Sequence, residues 1–413
     1  MANKIEILDA VMGSGKTTGM IKWMKDNPQY RFMYVSPLLS EVDYRIPTEC
    51  AELSFKSPET THKKTKSQHL LDLLEEGENV SFTQSLFMNM SKEHLMWIEE
   101  NEYVLIIDEE IDFIEPYRGS FGTGDIITLE RHNHIYIEED NLGKVVWNWS
   151  ACEDFIYTNL KRMCEMEMLH VSKRDRSMMV LHLPVSLVTH SHRTIVMTYR
   201  YDGSVMDMFM RMRGLKSIPF TEITLLKTEA EVKQQACDLI TIRNLRSTRE
   251  FKRKNYNLTS HWYLQKAKPR HLYDVQKAIL QACKTDIKDN VMYTLPKELV
   301  LPERTSPKIK IKGYSAKECF LYCATRATND FSHKKTLVHA FNRHPIQPVY
   351  VYLSDYGFPV YRDEYALSEC IQWVWRSAIR NGEEITIFFL SSRMEGIFKM
   401  WLDGNEDCLK KNS

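Results

Sequence analysis

Short apolar runs alternate with stretches of helical spacing along most of this chain. Ile5 to Leu8 is the first run, and the residues after Lys16 then place Met20, Ile21 and Met24 on one side, as a helix does. Arg31 to Ser36, Asn79 to Phe82 and Tyr103 to Ile107 are further runs of strand length. Ser36-Pro37-Leu38-Leu39-Ser40-Glu41 predicts a strand turning into a Glu-bearing helix, and Thr83-Gln84-Ser85-Leu86-Phe87 opens another helix. After Asp112 the pattern changes. Ile135 onward and Lys144 to Trp149 predict a β-hairpin with its turn at Asn141 to Gly143, and Glu153 to Met168 has helical spacing. Thr194 to Arg200 returns to a core strand. In the second half, Leu272 to Cys283 reads as an amphipathic helix. Val291 to Thr294, Cys319 to Cys323, Val349 to Leu353 and Ile385 to Leu390 read as strands, and Glu364 to Ile379 and Met394 to Trp401 as helices.

Strands alternating with helices imply parallel sheets, so the pattern predicts two α/β domains with an inserted α+β segment in the first. The expected boundaries are residues 1–232 for the first domain, with an insertion at about 113–193, 233–256 for a linker and 257–413 for the second domain. The linker expectation rests on charge: Arg243, Arg246 and Arg249 recur every third residue before Lys252, Arg253 and Lys254. On a helix this spacing is a basic stripe suited to phosphates, or else a solvated connection.

The first strand and helix are joined by Ala10-Val11-Met12-Gly13-Ser14-Gly15-Lys16-Thr17-Thr18. A small-residue loop at a helix N-terminus turns its backbone amides on an anion. Gly13 and Gly15 let the backbone approach phosphate oxygens, Lys16 reaches the β- and γ-phosphates, and the Thr17 hydroxyl holds magnesium. Ala10 stands where the consensus has Gly. Ala10, Met12, Ser14 and Thr18 complete the expected nucleotide contact, so the implied ligands are ATP and Mg2+. Downstream, the apolar strand Tyr103 to Ile107 delivers Asp108, Glu109 and Glu110 at its C-terminal end. That arrangement suits Asp108 to a metal ion and Glu109 to the attacking water as general base.

Ala-x4-Gly-Lys-Thr, then Ser-Pro-Leu, Thr-Gln-Ser-Leu-Phe and Asp-Glu-Glu, in that order, resemble the first motor domain of superfamily 2 helicases, the DEAD and DExH-like group. The likeness extends in particular to helicase-like proteins of tailed bacteriophages. It implies two tandem RecA-like domains with ATP between them. It places Pro37 and Thr83 beside a nucleic-acid backbone, and the fifth helicase motif, with Arg326, Thr328 and Asn329, at the polar cluster after Cys323. It matches Gln372 and Arg376 to Gln-x-x-Gly-Arg-x-x-Arg, with Trp375 in place of the Gly and Ile379 at the second Arg position. Arg376 is then expected as the arginine finger, with Arg380, one residue late, as a weaker second. Periodicity sets Gln372, Arg376 and Arg380 on nearly one helical face. Thr198-Tyr199-Arg200 departs from the Ser-Ala-Thr that links hydrolysis to strand separation in the group.

The resemblance implies nucleic-acid-stimulated ATP hydrolysis that moves or separates strands, DNA before RNA, in phage replication or recombination, with other replication proteins as further partners. Rival readings are a packaging-type motor, a nucleotide kinase, and an ATP-dependent DNA-binding switch without unwinding. A formal net charge of zero confines any nucleic-acid contact to a local basic face. With 43% apolar residues and no apolar run of membrane-spanning length, the expectation is a soluble, cytoplasmic protein without membrane contact. The nine scattered cysteines read as reduced core thiols.

Overall fold

The computed structural model describes residues 4–119, 123–148, 158–303, 305–325 and 328–405. Its strands, in chain order, begin with β1 (Lys4–Asp9), β2 (Phe32–Ser36), β3 (Val80–Thr83) and β4 (Val104–Asp108). Then come β5 (Ile114–Pro116), β6 (Ile135–Glu138), β7 (Lys144–Trp147), β8 (Leu169–Val171) and β9 (Met179–His182). β10 (Arg193–Thr198) and β11 (Lys216–Pro219) complete the first half; β12 (Ile240–Ile242), β13 (Val291–Thr294), β14 (Thr336–His339) and β15 (Ile385–Phe389) follow.

Two compact units emerge: Met1–Asp9, Thr17–Thr224 and Pro345–Val360 form one, and Ala10–Lys16, Leu225–His344 and Tyr361–Ser413 the other. The first holds a six-stranded sheet of order β11-β1-β10-β4-β2-β3, parallel throughout. The residues of β2 are all buried, as are the first four of β4, which is why those segments read as unbroken apolar runs. The second unit holds a four-stranded parallel sheet, β12-β15-β14-β13. Two parallel α/β domains are therefore present, as the alternation predicted.

The inserted segment is a five-stranded antiparallel sheet, β5-β9-β8-β7-β6. The predicted hairpin is there, with Ile135 opposite Trp147 and Glu138 opposite Lys144. Leu142 and Gly143 turn the chain at φ 55° and 67°. Trp147 is 3% exposed in the core of the insertion, where the Lys161 ammonium stands over its ring, so it is a packing residue. Trp149 and part of the helical reading over Glu153 to Met168 lie outside the described residues, and the helix seen there is Thr158–Glu165.

Four sequence expectations are corrected. Val349 to Leu353 is part of a helix, Gln347–Asp355, that belongs to the first unit. Its β-branched and aromatic residues suggested a strand, but Pro348 in the first turn and burial of Val349, Tyr352 and Leu353 follow helical spacing. Tyr352 donates to the Leu142 carbonyl at 2.7 Å, and Asp355 accepts from the Ser172 hydroxyl and the Arg174 amide, so the helix is pinned to the inserted sheet. Cys319 to Cys323 is no strand: a helical turn ends at Cys319, and Phe320 makes a single bridge to Tyr293. Residues 233–256 carry most of the helix Glu229–Leu239, β12 and the helix Arg246–Arg253 within the second unit, in place of a linker. The basic stripe is partly consumed there by pairing: Lys252 with Glu395, Lys254 with Asp274 at 2.7 Å, and Arg246 with Glu250 at 2.9 Å. Finally, Cys237 is exposed, whereas Cys50, Cys164, Cys283, Cys319, Cys323 and Cys370 are the buried thiols expected.

Candidate functional site

The loop that follows β1 is built around two left-handed glycines, Gly13 at φ 81° and Gly15 at φ 91°. A Cβ on Gly15 would stand 2.7 Å from Leu226 Cγ, so only glycine fits beneath that side chain. A Cβ on Gly13 would stand 3.4 Å from Trp375 Nε1. The Leu226 amide donates to the Ser14 carbonyl at 2.9 Å, and the Ser14 amide donates to Val11 at 3.3 Å, closing the turn. Lys16 turns its ammonium inward onto the carbonyls of Ala10 and Val11. Backbone brought close by glycines, with one ammonium folded into the curve and a helix of 11 residues starting at Lys16, fits a polyphosphate.

Asp108 ends β4 in the six-stranded sheet, two strands from β1. Its carboxylate accepts from the Tyr34 phenol at 3.0 Å. Burial first, then the charges of Asp108 and Glu41, hold that phenol well above its usual range, so Tyr34 remains a donor at any physiological pH. Glu109 sits at φ 70°, a left-handed conformation that is rare for a residue with a side chain. Its amide donates to the Met197 carbonyl of β10 at 3.0 Å. The Gln84 side-chain amide donates to the carbonyls of Asp108 and Glu109, at 3.1 and 3.0 Å. The third acid, Glu110, accepts from the Thr198 hydroxyl at 3.0 Å. Thr198 thus ties the end of β10 to the acidic turn although Tyr199 and Arg200 replace the residues usual in the resembled group. Arg200 is itself left-handed, φ 64°, and its amide and that of Tyr201 donate to the two Asp9 carboxylate oxygens at 2.7 and 3.0 Å.

In the second unit the helix carrying Gln372 is Arg362–Val374 and stops short of Arg376. Ser377 is extended, φ −92° and ψ −171°, its hydroxyl donates to the Val374 carbonyl at 2.6 Å, and Ala378–Asn381 is a separate 3-10 turn. The expectation of one helical face for Gln372, Arg376 and Arg380 fails here, because the helical register ends between the arginines. Arg376 is 8% exposed, whereas Arg380 reaches out to the Asn329 side chain at 2.5 Å. Asn329 and Arg380, expected at a nucleic-acid contact and at the γ-phosphate, therefore meet each other. Thr328 accepts from the Asp330 amide at 3.1 Å, and Arg326 lies outside the described residues. Thr83 caps the short helix Gln84–Phe87, accepting from the Leu86 amide at 3.4 Å, and Pro37 follows the end of β2. Thr18 accepts from Arg45, which also bonds Glu41 and Glu49.

Sequence reading missed Tyr34, Gln84, Leu226 and the role of Trp375. Gln84 lay inside a motif already noted and could have been found as the polar residue following a strand end. Tyr34 and Leu226 carried no signal, since an apolar strand and a loop leucine are ordinary.

Residues 234–402 match the family described as the YonV C-terminal Rossmann-like domain. The whole chain is similar to the SPbeta prophage-derived uncharacterized protein YonV of Bacillus subtilis strain 168, at 26% identity over 97% of this chain and 99% of that protein. Among solved structures it is similar to S. tokodaii Xpd4, with a TM-score of 0.49, and to a structure titled XPD helicase, with 0.44. Both are 12% identical and span 98% of this chain and 95% of theirs. The two parallel sheets, with a glycine loop after β1 and acids after β4, have the RecA-like form that the motifs led one to expect.

Proposed function

We propose that this protein is an ATP-driven nucleic-acid motor, a DNA helicase or translocase of superfamily 2 type, acting in phage DNA metabolism. The observation that carries the reading is that, in one parallel sheet, β1 runs into the glycine loop and β4 ends on Asp108 with Glu109 next. Ligands of open parallel sheets bind at the carboxyl ends of strands, and these two strand ends bring the groups that phosphoryl transfer uses. The prophage origin of the Bacillus subtilis relative supports the phage setting.

In this reading Lys16 and the amides from Met12 to Thr18 bind the β- and γ-phosphates of ATP. Thr17 and Asp108 are the residues that would hold magnesium, which neutralises phosphate charge when bound. Glu109 accepts the proton of the attacking water, and Tyr34 holds the Asp108 carboxylate in place by donating to it. Arg376 sets guanidinium charge against the γ-phosphate, and the indole Nε1 of the preceding residue, Trp375, stands 3.4 Å from where a Cβ on Gly13 would be. Thr198, bonded to Glu110, links the acidic turn to β10.

The test is the ATPase rate with and without single-stranded DNA, run beside a strand-displacement assay. Stimulation with displacement supports a helicase. A rate indifferent to DNA and RNA alike overturns the motor reading. The Tyr199-Arg200 substitution favours one second reading, an ATP-dependent switch that grips DNA without unwinding it, and stimulation without displacement would select that.

A further inference from the structure

Gln84 directly follows β3, the edge strand of the first sheet, and β2 lies between β3 and β4. Its side chain is buried, 8% exposed, and crosses the end of β2 to reach the turn that bears the two acids. There the single amide nitrogen donates to consecutive carbonyls, Asp108 at 3.1 Å and Glu109 at 3.0 Å. A primary amide has two N–H groups, so this contact satisfies both donors and fixes the orientation of two successive peptide planes. The residue between those planes is Glu109, at φ 70°. A glutamate in that conformation persists only where its surroundings hold it, and here the holders are Gln84 on one side and the Met197 carbonyl on the other.

The neighbours of Gln84 face differently. Thr83 is half-buried and caps the helix Gln84–Phe87, and Ser85 is exposed. A ligand engaging this turn therefore acts on the same peptide units that aim the Gln84 amide. We infer that Gln84 is the positioning residue through which nucleic acid bound at Thr83 and Ser85 sets the Glu109 backbone and so the ATPase rate. The inference rests on the motor reading and on Glu109 as the base, and adds the route between the two sites. Gln84 touches no reacting atom; it acts through the backbone of a residue that does.

Gln84→Met keeps the length and volume of the side chain and removes both donors. Gln84→Glu keeps the shape and turns an acceptor toward two acceptors. In both, the expected result is at least a tenfold loss of DNA-stimulated kcat, with the ATP KM and the DNA-binding midpoint within twofold of wild type. A purely structural role would instead lower the melting temperature and weaken binding along with kcat. An independent readout is hydrogen exchange of the segment 106–112, which DNA should slow in the wild type but not in either variant. If DNA stimulates the wild type and Gln84→Met is stimulated equally, the coupling is overturned while the motor reading stands. If DNA stimulates neither protein, both fall. Should Gln84→Met melt early, the Gln84→Glu kinetics and exchange decide by the same criteria.

Discussion

The indole Nε1 of Trp375 stands 3.4 Å from the point where a Cβ on Gly13 would be. Trp375 occupies the place where the resembled motif has glycine, so the substitution looked in sequence like an erosion of that motif. In the fold the residue before Arg376 lies beside the glycine loop, in one compact unit.

The two loop glycines should differ in their tolerance of a methyl group. Gly15→Ala places a Cβ 2.7 Å from Leu226 Cγ at φ 91°, and Gly13→Ala meets Trp375 at 3.4 Å at φ 81°. Each carries a left-handed penalty of about 1–2 kcal/mol, and Gly15→Ala adds a steric clash. Titration with a fluorescent ATP analogue should show weaker binding for both and the larger loss for Gly15→Ala. Leu226→Ala should recover part of the Gly15→Ala loss, since it removes the two nearest atoms, Cγ and Cδ1, and keeps only Cβ at 3.0 Å.

Lys16→Ala should abolish hydrolysis and weaken nucleotide binding. Glu109→Gln should retain ATP yet lower kcat by about 10²–10⁴, the range removed with a general base. Single-turnover kinetics beside equilibrium binding separate the two effects, and full turnover by Glu109→Gln would remove it as the base.

Arg376 and Arg380 should separate cleanly. Arg376→Ala is expected to lower kcat by about 10³ or more, as for an arginine finger. Arg380→Ala breaks an exposed contact to Asn329 and should leave basal kcat within a few-fold. Steady-state ATPase rates of the two variants decide; equal losses would assign the γ-phosphate role to neither alone.

Acid should destabilise the second unit through His339, which is fully buried between Trp373 and Phe389 with neither ring nitrogen hydrogen-bonded. Burial pushes its pKa down to about 3 from an ordinary 6.5. Above 6.5 the ring is neutral in both states. Below it the unfolded chain takes up a proton that the folded chain refuses, so stability falls as pH drops toward 3, by about 1.4 kcal/mol per pH unit. His339→Leu should remove this slope and, by deleting unbonded polar atoms, stabilise the unit by about 1–3 kcal/mol at pH 7. Urea unfolding followed by tryptophan fluorescence at pH 7 and pH 5 measures both.

Loosening the helix Gln347–Asp355 should be visible without loss of nucleotide binding. Tyr352→Phe removes the bond to Leu142 and Asp355→Ala the bonds to Ser172 and Arg174. Each should cost about 1–2 kcal/mol and raise proteolysis or hydrogen exchange around 347–355, while the affinity for an ATP analogue stays near wild type.

Five strands of the first sheet, β13 and β15 of the second, the glycine loop and the acidic strand end were legible because each is local: an apolar run, a small-residue turn, two carboxylates side by side; β11, β12 and β14 were not predicted. Covalent neighbours carry that information with no help from the fold. The chain order of the elements likewise predicted parallel sheets and an insertion. What the linear order could not express was contact between distant residues and breaks inside a periodic pattern. The helix through Gln372 ends before Arg376 because Ser377 adopts an extended backbone, and Val349 to Leu353 coils into a helix because one side of it is buried on the inserted sheet. Tyr34 against Asp108, Gln84 across β2 to Glu109, Thr198 on Glu110 and Trp375 on Gly13 join residues far apart along the chain. Only packing chooses such partners, since burial and hydrogen-bond satisfaction act on what lies close in space, whatever its position in the sequence.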